Sequence, residues 1–378
     1  MKKVLINIFK VFLNFIYLFI KLFPTKRRVT MLSRQSSTAP LDFKMLAEEI
    51  RLQDESIDVV ILAKTLTGNF LSYAFHIIKQ IRYIATSKVV VVDSYCIPVS
   101  ILKHKEGLTV LQIWHALSAI KKFGRQTVGK KSGADKVTAE AMNMHKNYDF
   151  IACSGDVTAG HFCEAFGYPA EKIVKLGLPR IDYILHPKEN IAEEIKEHYP
   201  EIGNAKKNIL YVPTFRKGKG VPLDALIKNI SFEKYNLIIK LHPKDAKLYR
   251  ETDIPGVVFI NRYNVYDLLN IADIIISDYS SFVVEASLLE KPVFLYTYDF
   301  VEYVSETGLN IDLSRESIGR YRFEEAGELA NAIEKEYDYS LLKTFQNKYI
   351  DIDVENCTKK MASFLIDKIN NFSKGENT

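Results

Sequence analysis

The chain has 378 residues, of which 47% are hydrophobic and 26% charged, with a net charge of +5. That hydrophobic content excludes a disordered chain, and the length suits two domains of roughly 150 residues plus extensions. Four cysteines (Cys96, Cys153, Cys163 and Cys357) form no CxxC pair, which argues against structural zinc and for a reducing, cytoplasmic compartment.

The segment 1–28 is expected to be an amphipathic membrane helix. "VLINIFKVFLNFIYLFIKLF" is as long as a membrane span, but Lys3, Asn7, Lys10, Asn14 and Lys21 interrupt it along one helical stripe. A spanning helix would hold these groups in lipid at a cost. A helix lying in the interface keeps them wet and buries its Phe, Ile and Leu face. Lys2, Lys3, Lys26, Arg27 and Arg28 flank it and attract anionic membrane lipids. "LFPTKRRVT" lacks the small-residue cleavage pattern of a secretory signal. The expected location is the cytoplasmic face of the cell membrane, as a peripheral protein.

From residue 29, β-branched runs alternate with helical spacing. "RVTML", "DVVILAK", "KVVVVDSY", "LTVLQIW", "FIACSG" and "KIVKLG" read as buried parallel strands, with helices at "PLDFKMLAEEIRL", "KVTAEAMNMHKN" and "DVTAGHFCEAFG". This is a first Rossmann-like unit, 29–186. After a polar stretch, "ILYVPTF", "YNLIIKLHP", "GVVFI", "DIIISD" and "PVFLY" restart the pattern as a second unit, 187–345, and 346–378 reads as a helical C-terminal segment. GxGxxG is absent, and "RKGKG" lacks the spacing of a phosphate-binding P-loop, so NAD and Walker-type ATP chemistry have no support.

Open α/β sheets present ligands at the carboxyl ends of their strands, and the notable polar residues sit there. "VLQIWHALSAIKKFG" places His115 where a hydrophobic run stops and a basic loop begins, with Lys121, Lys122, Arg125, Lys130 and Lys131 in a segment read as mobile. "KLGLPRID" follows a strand with Arg180 and Asp182, which could contact substrate or simply pair with each other. "YVPTFRKGKG" ends in Thr214 and Arg216 with Lys217 and Lys219 beyond, and "IIKLHPK" offers Lys240, His242 and Lys244. Arginine suits bidentate contact with phosphate, while lysine adds charge without fixed geometry. In "ISDYSSFVVEA", Asp278 ends a strand, Ser280 or Ser281 caps a helix whose first N–H groups favour phosphate, and Glu285 lies a turn along, within reach of ribose hydroxyls.

WHA followed by KKFG, GLPRxD, YVPTFR, KLHP and ISDYSS with its later Glu, in that order, resemble the CDP-glycerol glycerophosphotransferase family of teichoic-acid synthesis over roughly residues 85–345. The length and "IWHALSAIKKFG" look most like the primase type. Polymerases of the family usually read WHG and then PLK, from which Ala116 and "LSAIK" depart. The resemblance implies an α/β, GT-B-like fold of two Rossmann-like domains facing a cleft, with the acceptor handled by the first and CDP-glycerol by the second. It implies attack by a hydroxyl of a polyprenyl-diphosphate-linked disaccharide (ManNAc-GlcNAc) on the phosphorus that bears glycerol, with release of CMP. His115 would be the general base and His242 a catalytic contact to the departing phosphate. Arg180, Asp182, Thr214, Arg216, Lys240, Asp278, Ser280, Ser281 and Glu285 would bind substrate. No cofactor and no metal site are expected, since there is no HExxH and no DxD at Asp278. Nucleic acid is not expected as a partner, because the basic residues do not interleave with aromatics along one face. A polymerase or capsule enzyme using CDP-glycerol or CDP-ribitol, and a membrane-docked nucleotide-lipid binder without turnover, are the alternatives.

Overall fold

The computed structural model describes residues 1–66, 70–216, 220–242, 245, 249 and 254–375. Lys217, Lys219 and Lys244 lie outside the described residues. The chain divides into two units, the first made of 1–117, 122–182 and 351–378, the second of 118–121 and 183–350. The C-terminal segment therefore does not stand alone. Its helix Cys357–Gly375 packs on the helix Leu41–Gln53 of the first unit. Asp182 fixes the start of that helix by accepting from the backbone N–H groups of Cys357 (2.9 Å) and Thr358 (2.7 Å) and from the Thr358 hydroxyl (2.5 Å). Four residues, 118–121, leave the first unit to join the second.

In the first unit, β1 (Lys26–Ser33), β2 (Asp58–Ala63), β3 (Ser87–Val92), β4 (Thr109–Gln112), β5 (Phe150–Cys153) and β6 (Ile173–Lys175) form one parallel sheet in the order β2-β1-β3-β4-β5-β6. In the second, β7 (Lys207–Tyr211), β8 (Tyr235–Ile239), β9 (Val257–Phe259), β10 (Ile274–Ser277), β11 (Val293–Tyr296) and β12 (Arg322–Phe323) form another, ordered β12-β11-β10-β7-β8-β9. Val89 to Val92, Ile209 to Tyr211 and Leu237 to Ile239 are sealed from solvent because helices cover both faces, so the strands read as unbroken apolar runs. The strand orders differ. The second is Rossmann-type, reversing between β7 and β10, whereas the first follows the flavodoxin-like order and reverses between β1 and β3. Open α/β sheets bind ligands at such reversals, which here fall at the carboxyl ends of β1 and β3 and of β7 and β10.

The N-terminal helix spans Lys2–Ile20 and is long and apolar enough to cross a membrane. Its polar stripe was expected to face water, but much of it faces the protein. Asn14 donates to the carbonyl of Ile101 (3.0 Å) and accepts from the N–H of Lys103 (2.9 Å), Lys10 reaches Asn143 (3.2 Å), and Lys21 reaches the carbonyl of His104 (3.2 Å), around the buried Leu13 and Tyr17. The reason is backbone satisfaction, since the loop 101–104 offers an orphan N–H and carbonyls that asparagine and lysine can serve. Lys3 and Asn7 stay exposed, and so does the apolar face of Val4, Ile8, Val11, Phe12, Phe15, Phe19 and Phe23.

Candidate active site

In the first unit, β4 ends and Trp114 takes a left-handed backbone conformation (φ 58°), rare for a bulky residue, held by its N–H donating to the Gln112 side chain at 2.8 Å. This turn carries His115 to the carboxyl end of the sheet. The Trp114 ring lies against the His115 ring (centroids 4.0 Å apart) and stacks on Phe123 (4.3 Å), which in turn packs edge-on to Phe166. Phe123 and the 3₁₀ turn Gly124–Thr127 lie within the segment expected to be a mobile loop. Lys130 and Lys131 remain exposed.

The Nδ1 atom of His115 sits 2.9 Å from the main-chain oxygen of Asp93, at the end of β3. A carbonyl only accepts, so Nδ1 carries the proton and Nε2 the lone pair. The Gln35 side-chain nitrogen lies 3.2 Å from the same Nδ1, and two N–H groups cannot pair, so this tautomer requires the Gln35 amide to rotate and present its oxygen to the ring. Arg180 braces the loop from below. Its Nη1 donates to the carbonyl of His115 at 3.0 Å, while its Nε and Nη2 hold the carboxylate of Asp42. Arg180 and Asp182 do not pair. Arg180 is buried against a partner 138 positions away, and Asp182 caps the C-terminal helix. A cavity of about 240 Å³ opens here, with His115, Asp93, Arg180 and Phe43 in its wall.

In the second unit, the residues expected to meet phosphate first meet one another. Asp278, fully buried, accepts from the Thr214 N–H (2.9 Å), the Thr214 hydroxyl (2.6 Å) and Arg216 Nη2 (3.0 Å). Arg216, also buried, donates further to Asp299 (2.6 Å) and to the Thr214 carbonyl (2.9 Å), and its guanidinium lies 4.5 Å from the ring centre of Tyr303, which stacks on Tyr279. A guanidinium so occupied is a brace between the "YVPTFR" and "ISDYSS" loops, because a buried arginine needs carboxylates before it can serve a ligand. Lys240 donates to the carbonyls of Asn261 (3.1 Å) and Tyr263 (2.5 Å), and burial pulls its pKa down. Glu285 is buried and accepts from the Tyr266 hydroxyl at 2.8 Å.

Ser280 and Ser281 are half-buried at the head of the short helix Phe282–Ala286. Ser280 accepts from the N–H of Phe282 (3.3 Å), and Ser281 donates to the carbonyl of Ser118 (2.8 Å), so only the first behaves as a cap. His242 is exposed, its ring 5.1 Å from that of Phe215. Lys121, expected in a mobile basic loop, pairs as an antiparallel bridge with Leu309 and lies in the field of Asp278 and Arg216. Although part of its surface is open, burial pushes its pKa down to about 8. Among the described residues, no cluster of three or more His, Cys, Asp or Glu side chains could hold a metal.

A family model described as CDP-glycerol:poly(glycerophosphate) glycerophosphotransferase matches residues 15–366. The chain belongs to this family. Curated relatives of this glycerophosphotransferase include the teichoic acid ribitol-phosphate primase of Bacillus spizizenii, 29% identical over 89% of this chain and 90% of the relative. The teichoic acid glycerol-phosphate primase of Bacillus subtilis is 27% identical over 96% and 98%. Among solved structures, the wall teichoic acid polymerase TagF superposes with a TM-score of 0.72 at 19% identity, covering 98% of this chain and 97% of that one, which gives the fold as GT-B-like. The glycerophosphotransferase carries four residues at its sites that the motif reading passed over, Gln35, Asp42, Asp93 and Asp299. Asp93 was findable, because it follows "KVVVV" at a strand end as His115 follows "VLQI".

Proposed function

We propose that this enzyme is a primase that transfers glycerol phosphate from CDP-glycerol to a hydroxyl of a polyprenyl-diphosphate-linked disaccharide, ManNAc-GlcNAc, in wall teichoic acid synthesis. The observation that carries the reading is the contact of His115 Nδ1 with the Asp93 carbonyl. That contact favours the tautomer with its proton on Nδ1, which leaves Nε2 to act as the base. Nε2 takes the proton of the acceptor hydroxyl, the oxygen attacks the phosphorus bearing glycerol, and the bond to the CMP phosphate breaks. His242, with Ser280 and Ser281, is assigned to the charge that develops on the leaving phosphate. Arg180, Arg216, Asp278 and Lys240 act by holding the loops that carry these groups, and Glu285 is assigned to the nucleotide ribose through a carboxylate oriented by Tyr266. Unit 1 serves the acceptor and unit 2 the donor.

The N-terminal helix supports docking on the cytoplasmic face of the membrane. Lys10, Asn14 and Lys21 are engaged by the protein while the aromatic face is bare, an arrangement suited to lying in an interface and unsuited to spanning while docked. Anionic headgroups would meet Lys2 and Lys3 at one end and Lys26 at the other.

The test is CMP or UDP release from a panel of CDP-glycerol, CDP-ribitol and UDP-sugars, each with the lipid-linked disaccharide. CDP-glycerol is expected to give CMP and a phosphoglycerol-bearing lipid, and turnover with UDP-sugars alone would end the reading. Similarity to a ribitol-phosphate primase favours a second reading, in which CDP-ribitol is the donor. The same panel decides between them.

A further inference from the structure

The crevice at the β1/β3 reversal holds a group that the transfer chemistry above leaves unused. Asp93 is 3% exposed, and its Oδ1 has no hydrogen-bond partner among the described residues. The hydroxyls of Ser33 and Ser94 favour its charged form, but burial outweighs them and pushes the carboxyl up to about 6. Buried carboxylate oxygens are ordinarily paired, and one left unpaired beside a cavity is a place for a ligand's donor to reach. The same residue gives its main-chain oxygen to His115, so the carboxylate after β3 and the base after β4 stand on neighbouring strand ends.

The chemistry of the cavity selects the ligand. An ionised carboxylate accepts only, so the ligand must bring O–H or N–H donors. Asp42 stands nearby, and Arg180 is engaged by Asp42 and by the His115 carbonyl, which leaves the cavity poorly suited to an anion. Pro40 and Phe43 supply an apolar wall, and about 240 Å³ is room for one small ring and not for a nucleotide. These features describe a neutral polyhydroxylated ring.

We propose that this cavity is the subsite for the terminal sugar of the acceptor, with Asp93 Oδ1 accepting a hydrogen bond from a hydroxyl of the ring whose reacting hydroxyl His115 deprotonates. The proposal rests on the glycerophosphotransfer reading and adds where the acceptor is gripped. The carboxylate aligns the ring, and the proton of the reacting hydroxyl still goes to His115.

Asp93→Asn keeps the shape and removes the charge. With CDP-glycerol and the lipid-linked disaccharide, it is expected to raise the acceptor KM at least tenfold while the donor KM stays within twofold. Titration of a short-chain, water-soluble disaccharide acceptor without donor is expected to show the same loss of affinity. A melting curve separates this from misfolding. The folded carboxyl holds its proton up to about pH 6 whereas an unfolded one releases it near 3.8, so the charged form costs stability above that range. Asp42, Arg180, His115 and Cys96 are the ionisable groups that face it. The Asn variant should therefore melt no lower than the parent at pH 7.5, and Asp93→Ser gives the same reading should the amide fold poorly. An unchanged acceptor KM and affinity in a variant, beside an active parent enzyme, overturns the subsite. A parent that releases no CMP from any CDP-polyol overturns the transfer reading, and the subsite with it.

Discussion

The two units place polar residues at equivalent strand ends and treat them in opposite ways. In the second, Asp278, Arg216, Thr214 and Asp299 satisfy one another, and three tyrosine rings close over the guanidinium. In the first, Arg180 and Asp42 satisfy one another but leave a histidine at the wall of a cavity beside a carboxylate oxygen with no partner among the described residues. The same signal in sequence, a charged residue after an apolar run, marks a brace in one place and, in the proposed mechanism, a working group in the other. The difference lies in how many partners the fold supplies within reach.

The largest effect that sharpens this contrast is expected at the brace. Arg216→Ala strands two carboxylates, one of them fully buried, and should cost about 3–5 kcal/mol of stability, seen as a lower melting temperature and earlier denaturant midpoint. A variant that melts like the parent and only binds CDP-glycerol less well would make Arg216 a phosphate ligand after all. A smaller effect is expected at the membrane face. Phe15→Ser, at a position 59% exposed, should remove about 2 kcal/mol of partition into anionic vesicles and leave the melting temperature unchanged. Vesicle binding equal to that of the parent would remove this helix from the docking account. The smallest is at Glu285. Glu285→Gln weakens one charge-assisted contact and should loosen CDP-glycerol by about 1 kcal/mol in a calorimetric titration. Loss of stability without loss of donor affinity would place Glu285 with Arg216 among the braces.

Much of this architecture was legible because parallel strands covered on both faces need β-branched runs, and "KVVVV" and "DIIIS" can be little else. β12 was missed because two residues, Arg322 and Phe323, carry no periodicity. The motif residues were legible as a set, but their partners were not. Arg180 finds Asp42 and Asp182 finds Thr358, pairs 138 and 176 positions apart, and local spacing says nothing of either. The N-terminal helix shows the same limit. Its amphipathic pattern was plain, but a polar stripe that serves backbone groups at 101–103 looks in sequence like one that faces water.

The account turns on His115 acting on the acceptor while donor binding resides elsewhere. The most direct measurement is a pair made on one preparation of His115→Ala, a calorimetric titration with CDP-glycerol and quenched-flow detection of CMP in the presence of the lipid acceptor. The donor is expected to bind as it does to the parent while CMP formation falls by ~10²- to 10⁴-fold, the range for loss of a general base. Donor affinity that falls in step with CMP formation would contradict the account and move His115 into the nucleotide site.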